Sequence, residues 1–172
     1  MRVLGIDPGS QIMGIGIIDA KNNAVRHVFS ESLHLPKGDL PPRLASIFQR
    51  LEKVIEKFQP DLMAIEKVFL AKNPQAALTL GHARGAAILA GVNVGLSIHE
   101  YSATEIKKTI VGRGRADKNQ VQHMVKVLLG VRTVMGVDES DALACAICHV
   151  HHQHSRQLIA KQSNLASRMK FQ

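Results

Sequence analysis

Two short breaks within the first 32 residues constrain this chain more than anything that follows. Arg2 to Ile6 is a short apolar run, Pro8-Gly9 turns it, and the glycine-studded run Ile12-Met13-Gly14-Ile15-Gly16-Ile17-Ile18 comes next. Lys21-Asn22-Asn23 then separates that run from a third, Ala24 to Ser32. Connections this tight join antiparallel neighbours, because parallel strands need a crossover of a dozen or more residues. The chain is therefore expected to begin as a three-stranded antiparallel meander.

Helix and strand signals alternate after that. Behind Leu35-Pro36-Lys37-Gly38 and Pro41-Pro42, the residues Leu44, Ile47, Phe48, Leu51, Ile55 and Phe58 recur at the three- and four-residue spacing of an amphipathic helix, which Pro60 stops. Leu62 to Glu66 reads as a buried strand ending in a carboxylate. Asn73-Pro74 is a good cap and first turn for a small-residue helix to about Gly91, and Ser97 to Glu100 is a fifth strand. Ser102-x-x-Glu105 and Asp117-x-x-Gln120 are capping boxes opening two more helices, and Asp138 is the expected cap of a last one running through Ala142 to Ile147. The order β-β-β-α-β-α-β followed by helices defines an α/β fold. A chain of 172 residues suits one core, so one domain is expected over residues 1–155. Residues 156–172 form a basic tail of weak periodicity, a candidate for disorder.

Charge says what such a domain meets. Twenty-two Lys and Arg against fourteen Asp and Glu give +8, which points to a polyanionic partner. The excess is concentrated: Lys107 to Arg132 carries +6, the segment from His149 onward carries +4, and the remainder of the chain carries −2. No segment reaches the 18 consecutive apolar residues of a membrane span, and Met1-Arg2 leads directly into a strand with no cleavage signal. With only Cys145 and Cys148 present, a reduced, cytoplasmic protein is expected.

Four carboxylates stand at chain positions that can converge. Asp7 ends the first strand, Glu66 ends the fourth, and Asp138 and Asp141 lie one turn apart at the start of the last helix. Strand ends and helix starts meet at one edge of an α/β sheet. Acids gathered there repel unless they are protonated or share a cation, and oxygen-only donors suit Mg²⁺ or Mn²⁺. Two such ions about 4 Å apart can activate a water and stabilise the leaving oxygen of a phosphodiester. Plainer readings remain for each acid: Asp7 as a turn residue before Pro-Gly, and Asp138 with Asp141 as an N-cap and a first-turn acid. Glu66 gains nothing obvious from ending an apolar strand.

Leu4-Gly5-Ile6-Asp7-Pro8-Gly9-Ser10, Ala64-Ile65-Glu66-Lys67-Val68-Phe69 and Asp138-Glu139-Ser140-Asp141-Ala142-Leu143-Ala144 closely resemble the RuvC family of bacterial Holliday-junction resolvases. Further similar stretches include Leu80-Gly81-His82-Ala83-Arg84-Gly85 and Gln120-Val121-Gln122-His123-Met124-Val125, and the likeness runs in unbroken order from residue 1 to about 152. The resemblance implies an RNase H-like fold with a five-stranded mixed sheet flanked by helices. It implies a homodimer that nicks opposing strands of a four-way junction symmetrically, in recombination and repair. Asp7, Glu66, Asp138 and Asp141 match the family's catalytic acids, which bind two Mg²⁺ per subunit, with Mn²⁺ able to substitute. RuvA and RuvB, the branch-migration complex, are implied as partners.

By the same resemblance Lys107 and Lys118 occupy basic positions near the active centre, and Lys108, Arg113 and Arg115 enlarge the patch around Gly112-Arg113-Gly114-Arg115. Phosphate contact there would raise affinity and its salt dependence; the plainer reading is a solvated helix face. Phe69 follows the Glu66 strand and could stack on an unpaired base, or belong to the core. Cys145-Ala146-Ile147-Cys148-His149 matches a haem-attachment pattern, but it lies in an apolar helix of a chain without an export signal. His149, His151, His152 and His154 lack strict zinc spacing. Asp7 to Ser10 also suits the phosphate loop of actin-like ATPases, which need two such subdomains. The rival functions are a non-catalytic junction binder, which has no use for acids beside phosphate, and an RNase H-like nuclease of another substrate.

Overall fold

The computed structural model describes residues 1–21, 24–68, 73–133 and 135–169, with side chains as far as residue 160. The expected meander is formed by β1 (Arg2–Asp7), β2 (Ile12–Lys21) and β3 (Ala24–His34), paired antiparallel. The amphipathic helix α1 (Leu40–Phe58) leads to β4 (Leu62–Glu66), and α2 (Pro74–Asn93) crosses over to β5 (Ser97–Tyr101). Both later strands run parallel to β1, giving a mixed sheet in the order β3-β2-β1-β4-β5. Then come α3 (Ala103–Val111), α4 (Lys118–Leu129) and α5 (Val137–Met169).

Local chemistry explains the helix starts. The Asn73 side chain accepts from the N–H groups of Gln75 and Ala76, and both capping boxes close, Ser102 with Glu105 and Asp117 with Gln120. Gly112 and Gly130 end α3 and α4 in the left-handed conformation that a glycine adopts without strain. Two expectations change. Helix α5 begins at Val137, so Asp138 lies inside its first turn instead of capping it. The same helix continues through Met169, where weak periodicity made the tail a candidate for disorder.

Alternation along the strands sorts residues to two faces. One face, covered by α1 and α2, buries Leu4, Ile6, Met13, Ile15, Ile17, Met63 and Ile65 against Ile47, Leu51, Ala83 and Ala87. The opposite face, covered by α3, α4 and α5, carries Val3, Ile18, Leu62, Ala64 and Tyr101. Its centre is lined by almost nothing, because Gly5, Gly14 and Gly16 fall there. A Cβ on Gly5 would overlap the Ala142 carbonyl oxygen, and one on Gly16 would come 2.8 Å from the Leu143 side chain. The run Ala142 to Cys148 fills this glycine slot and is buried throughout.

Candidate active site

The slot decides where the acids go. Ile6 and Ile65 pair across β1 and β4 and point toward α1 and α2. Asp7 and Glu66 are the next residues on these strands, so alternation turns both toward α5, on neighbouring strands about 4.8 Å apart. Across the other edge of β1, Asp7 pairs with Gly14. The bare Gly14 lets the first turn of α5 descend, and a Cβ there would overlap the Asp138 carbonyl oxygen and lie 3.1 Å from Asp7 Cβ. Asp138 and Asp141 are thereby brought over Asp7 and Glu66.

Electrostatics records this convergence. Burial, then the nearby charges of Glu66, Asp141 and Asp138, push the Asp7 carboxyl up to about 8. Burial also raises Glu66, with Asp141 adding to the effect. Asp141 is raised chiefly by burial, partly offset by Lys118. The concentration of like charge at one mouth is what a divalent cation would relieve, and the all-oxygen donor set fits a hard ion. Among the described residues no three His, Cys, Asp or Glu side chains close round a single point, so the acids line a shared mouth, not a finished cage.

Two of the expected basic residues share this mouth. Lys118, the first residue of α4, places its Nζ 3.8 Å from Asp141 Oδ2. Lys107 on α3 draws Glu66 and Asp141 downward alongside Lys118. Lys108, Arg113 and Arg115 are exposed on α3 and on its connection to α4, and make no ion pair among the described residues. Phe69 lies outside the described residues.

The Cys and His motif goes elsewhere. Cys145 and Cys148 are free thiols in the core, and Cys148 Sγ lies 3.5 Å from Thr109 Oγ1. His149 is buried, shares a 2.9 Å hydrogen bond between its Nδ1 and the Tyr101 hydroxyl, and has its ring 4.5 Å from that of His99.

Sequence reasoning missed Arg84. Its Nε donates to the Glu66 carbonyl at 3.1 Å, and its guanidinium pairs with Glu100 on β5. The available signal was one cation in the otherwise small, apolar run Ala83 to Ala87.

The family model described as "Crossover junction endodeoxyribonuclease RuvC" matches residues 3–149. Proteins of that name from Citrifermentans bemidjiense and Methylococcus capsulatus are similar. The first is 52% identical over 152 residues, 88% of this chain and 93% of that protein. The second is 48% identical over 167 residues, 97% of this chain and 99% of that protein. The structure described as "T. thermophilus RuvC in complex with Holliday junction substrate" superposes with a TM-score of 0.83 at 29% identity, covering 89% of this chain and 94% of that one. With the model spanning most of the chain and relatives near half-identical, this chain belongs to the RuvC family of crossover junction endodeoxyribonucleases.

Proposed function

We propose that the protein is a structure-selective endonuclease that resolves four-way DNA junctions by paired symmetric nicks, in recombination and repair. The observation that carries the reading is the convergence of Asp7, Glu66, Asp138 and Asp141 from two strands and one helix, with Lys107 and Lys118 beside them. The Thermus relative is itself in complex with a Holliday junction substrate.

Asp7 and Glu66 hold the metal from the sheet, and Asp138 and Asp141 complete the donor set from α5. Two Mg²⁺, or Mn²⁺ in their place, would supply an activated water and charge stabilisation at the leaving oxygen. Lys118 and Lys107 bind phosphate at the mouth, and Lys108, Arg113 and Arg115 extend that contact along the backbone. Phe69, next along the chain from the Glu66 strand, is assigned to base stacking at the crossover.

Symmetric cutting needs two copies. Helix α2 is rich in small and apolar residues; its inner face is buried, and its outer face exposes Leu78, Leu89 and Val92, each more than half accessible. Gly81 and Gly85 lie on the same face with open space beyond them. We assign this face to a second copy of the chain. No helix among the described residues is long and apolar enough to cross a membrane, and a cytoplasmic setting accords with two free, buried thiols. The RuvA and RuvB complex is the expected partner there. Residues 1–155 are assigned to the nuclease domain and 156–172 to its basic extension.

The test is incubation with a synthetic four-way junction and with linear duplex of the same sequence, in Mg²⁺ and in EDTA. Cleavage of the junction alone, in Mg²⁺ alone, is expected. Tight junction binding without cleavage would make the protein a binder, and equal cutting of linear duplex would remove the structural selectivity.

A further inference from the structure

Arg84 is the one cation in the middle of α2, flanked by Ala83 and Gly85. Its side chain turns inward and is only 19% accessible. Nε donates to the backbone carbonyl of Glu66 at 3.1 Å. An Nη nitrogen of the same guanidinium lies 3.1 Å from Glu100 Oε2 on β5, an ion pair whose angles fall short of a hydrogen bond. One rigid fork therefore joins three elements at the point where β4 ends and the chain leaves the sheet.

That point matters because of what it carries. Glu66 is the last residue of β4, and among the described residues the ladder beyond it continues as far as the bond from the Lys67 N–H to the Tyr101 carbonyl, at 2.8 Å. A strand end is free to swing unless its peptide groups are held. The Glu66 carbonyl and Cα lie in one planar peptide unit, held on its N–H edge by the Lys67 bond and on its carbonyl edge by Arg84. Holding that plane from both edges narrows ψ at Glu66 and with it the direction of its Cα–Cβ bond. A charged donor in a partly buried setting makes a stronger bond than a neutral one. Glu100 in turn restrains the guanidinium from its far side.

We propose that Arg84 is a positioning residue, which acts through the Glu66 backbone to aim the Glu66 carboxylate at Asp7 and Asp141. Lysine cannot take its place fully, because a single ammonium is a point charge without the planar fork that meets a carbonyl and a carboxylate together. The inference rests on the metal-dependent cleavage proposed above. Its rival is a plain staple, in which Arg84 ties α2 to the sheet and contributes stability alone.

The experiment compares the full-length wild type with Arg84→Gln, Arg84→Lys and Glu100→Gln. Three quantities are measured: thermal unfolding across a Mg²⁺ titration, junction binding in EDTA, and single-turnover cleavage against Mg²⁺ concentration. Arg84→Gln is expected to bind the junction as the wild type does. Its cleavage falls by about 10²-fold, the usual consequence of an ångström-scale misplacement. More Mg²⁺ is needed both for half-maximal cleavage and for the half-maximal shift in Tm. Arg84→Lys recovers part of each effect, and Glu100→Gln moves both midpoints the same way by less. A folded Arg84→Gln protein with wild-type Mg²⁺ midpoints overturns the proposal, as does a lowered Tm with neither midpoint moved, which is the staple's signature. If the wild type itself cuts no junction, the nuclease reading falls, while the Mg²⁺ midpoint for Tm still decides the role of Arg84.

Discussion

Gly14 and Asp138 meet backbone to backbone: the Gly14 methylene lies so close beneath the Asp138 carbonyl that a Cβ would overlap it. This approach seats the first turn of α5 at the height of Asp7, which pairs with Gly14 on the adjacent strand. The arrangement of the acids thus depends on a residue that has no side chain.

Gly14→Ala tests that dependence. The methyl meets backbone and Asp7 Cβ, not a flexible side chain that can yield. Overpacking of this kind costs about 1–3 kcal/mol. Urea unfolding is expected to show that loss, and Mg²⁺-dependent cleavage falls further than stability does, because α5 carries two of the acids. Unchanged cleavage would show that α5 need not sit against β2.

The basic residues at the mouth are tested by salt. Changing Lys107 and Lys118 to Ala weakens junction binding, measured in EDTA. The plot of log affinity against log salt flattens by roughly 0.9 for each phosphate that is no longer neutralised. A slope equal to that of the wild type shows that neither lysine neutralises a phosphate.

Leu89→Glu places a charge on the outer face of α2. Sedimentation equilibrium is expected to show a dimer for the wild type and a monomer for the variant, with Tm little changed because Leu89 is 58% accessible in the single chain. A dimer that survives the charge moves the interface elsewhere.

His149 makes stability depend on pH. Burial, and then the nearby charges of His99, Arg156 and His152, lower its pKa from 6.5 to about 4. Tyr101, Cys145 and Cys148 also lie around this part of α5. The unfolded chain binds a proton on this imidazole between these two values and the folded chain does not. Stability is therefore lost as pH falls from about 6.5 to about 4, by up to about 3 kcal/mol. Urea unfolding of wild type and His149→Asn at pH 7 and pH 5 measures it: the wild type should lose more on acidification than the variant. Equal losses would exclude His149 as the source.

Much of the framework is legible in the sequence because local chemistry settles it. The meander follows from two short connections, and Asn73, Ser102 and Asp117 start helices by bonds within a few residues. The four acids stand out because strand ends and a helix start are sequence-visible places. The remainder depends on packing between distant segments. Gly5, Gly14 and Gly16 read as flexibility in a strand until Ala142, Leu143 and Asp138 are seen packed onto them. Asp138 has the composition of a cap, yet tertiary seating starts α5 at Val137, two residues before a helix capped by Asp138 would begin. Arg84 lies 18 residues from the carbonyl it holds, and no periodicity records that bond.

Whether the four converging acids cut DNA is decided by Asp7→Asn. The Asp7 carboxyl is pushed up to about 8 by burial and then by the nearby charges of Glu66, Asp141 and Asp138. On a junction labelled on each strand in turn, in Mg²⁺, the wild type should nick two opposing strands at matching positions. Asp7→Asn should bind the same junction with undiminished affinity and leave it uncut. Cleavage by Asp7→Asn at the wild-type rate would show that Asp7 takes no part in cutting DNA.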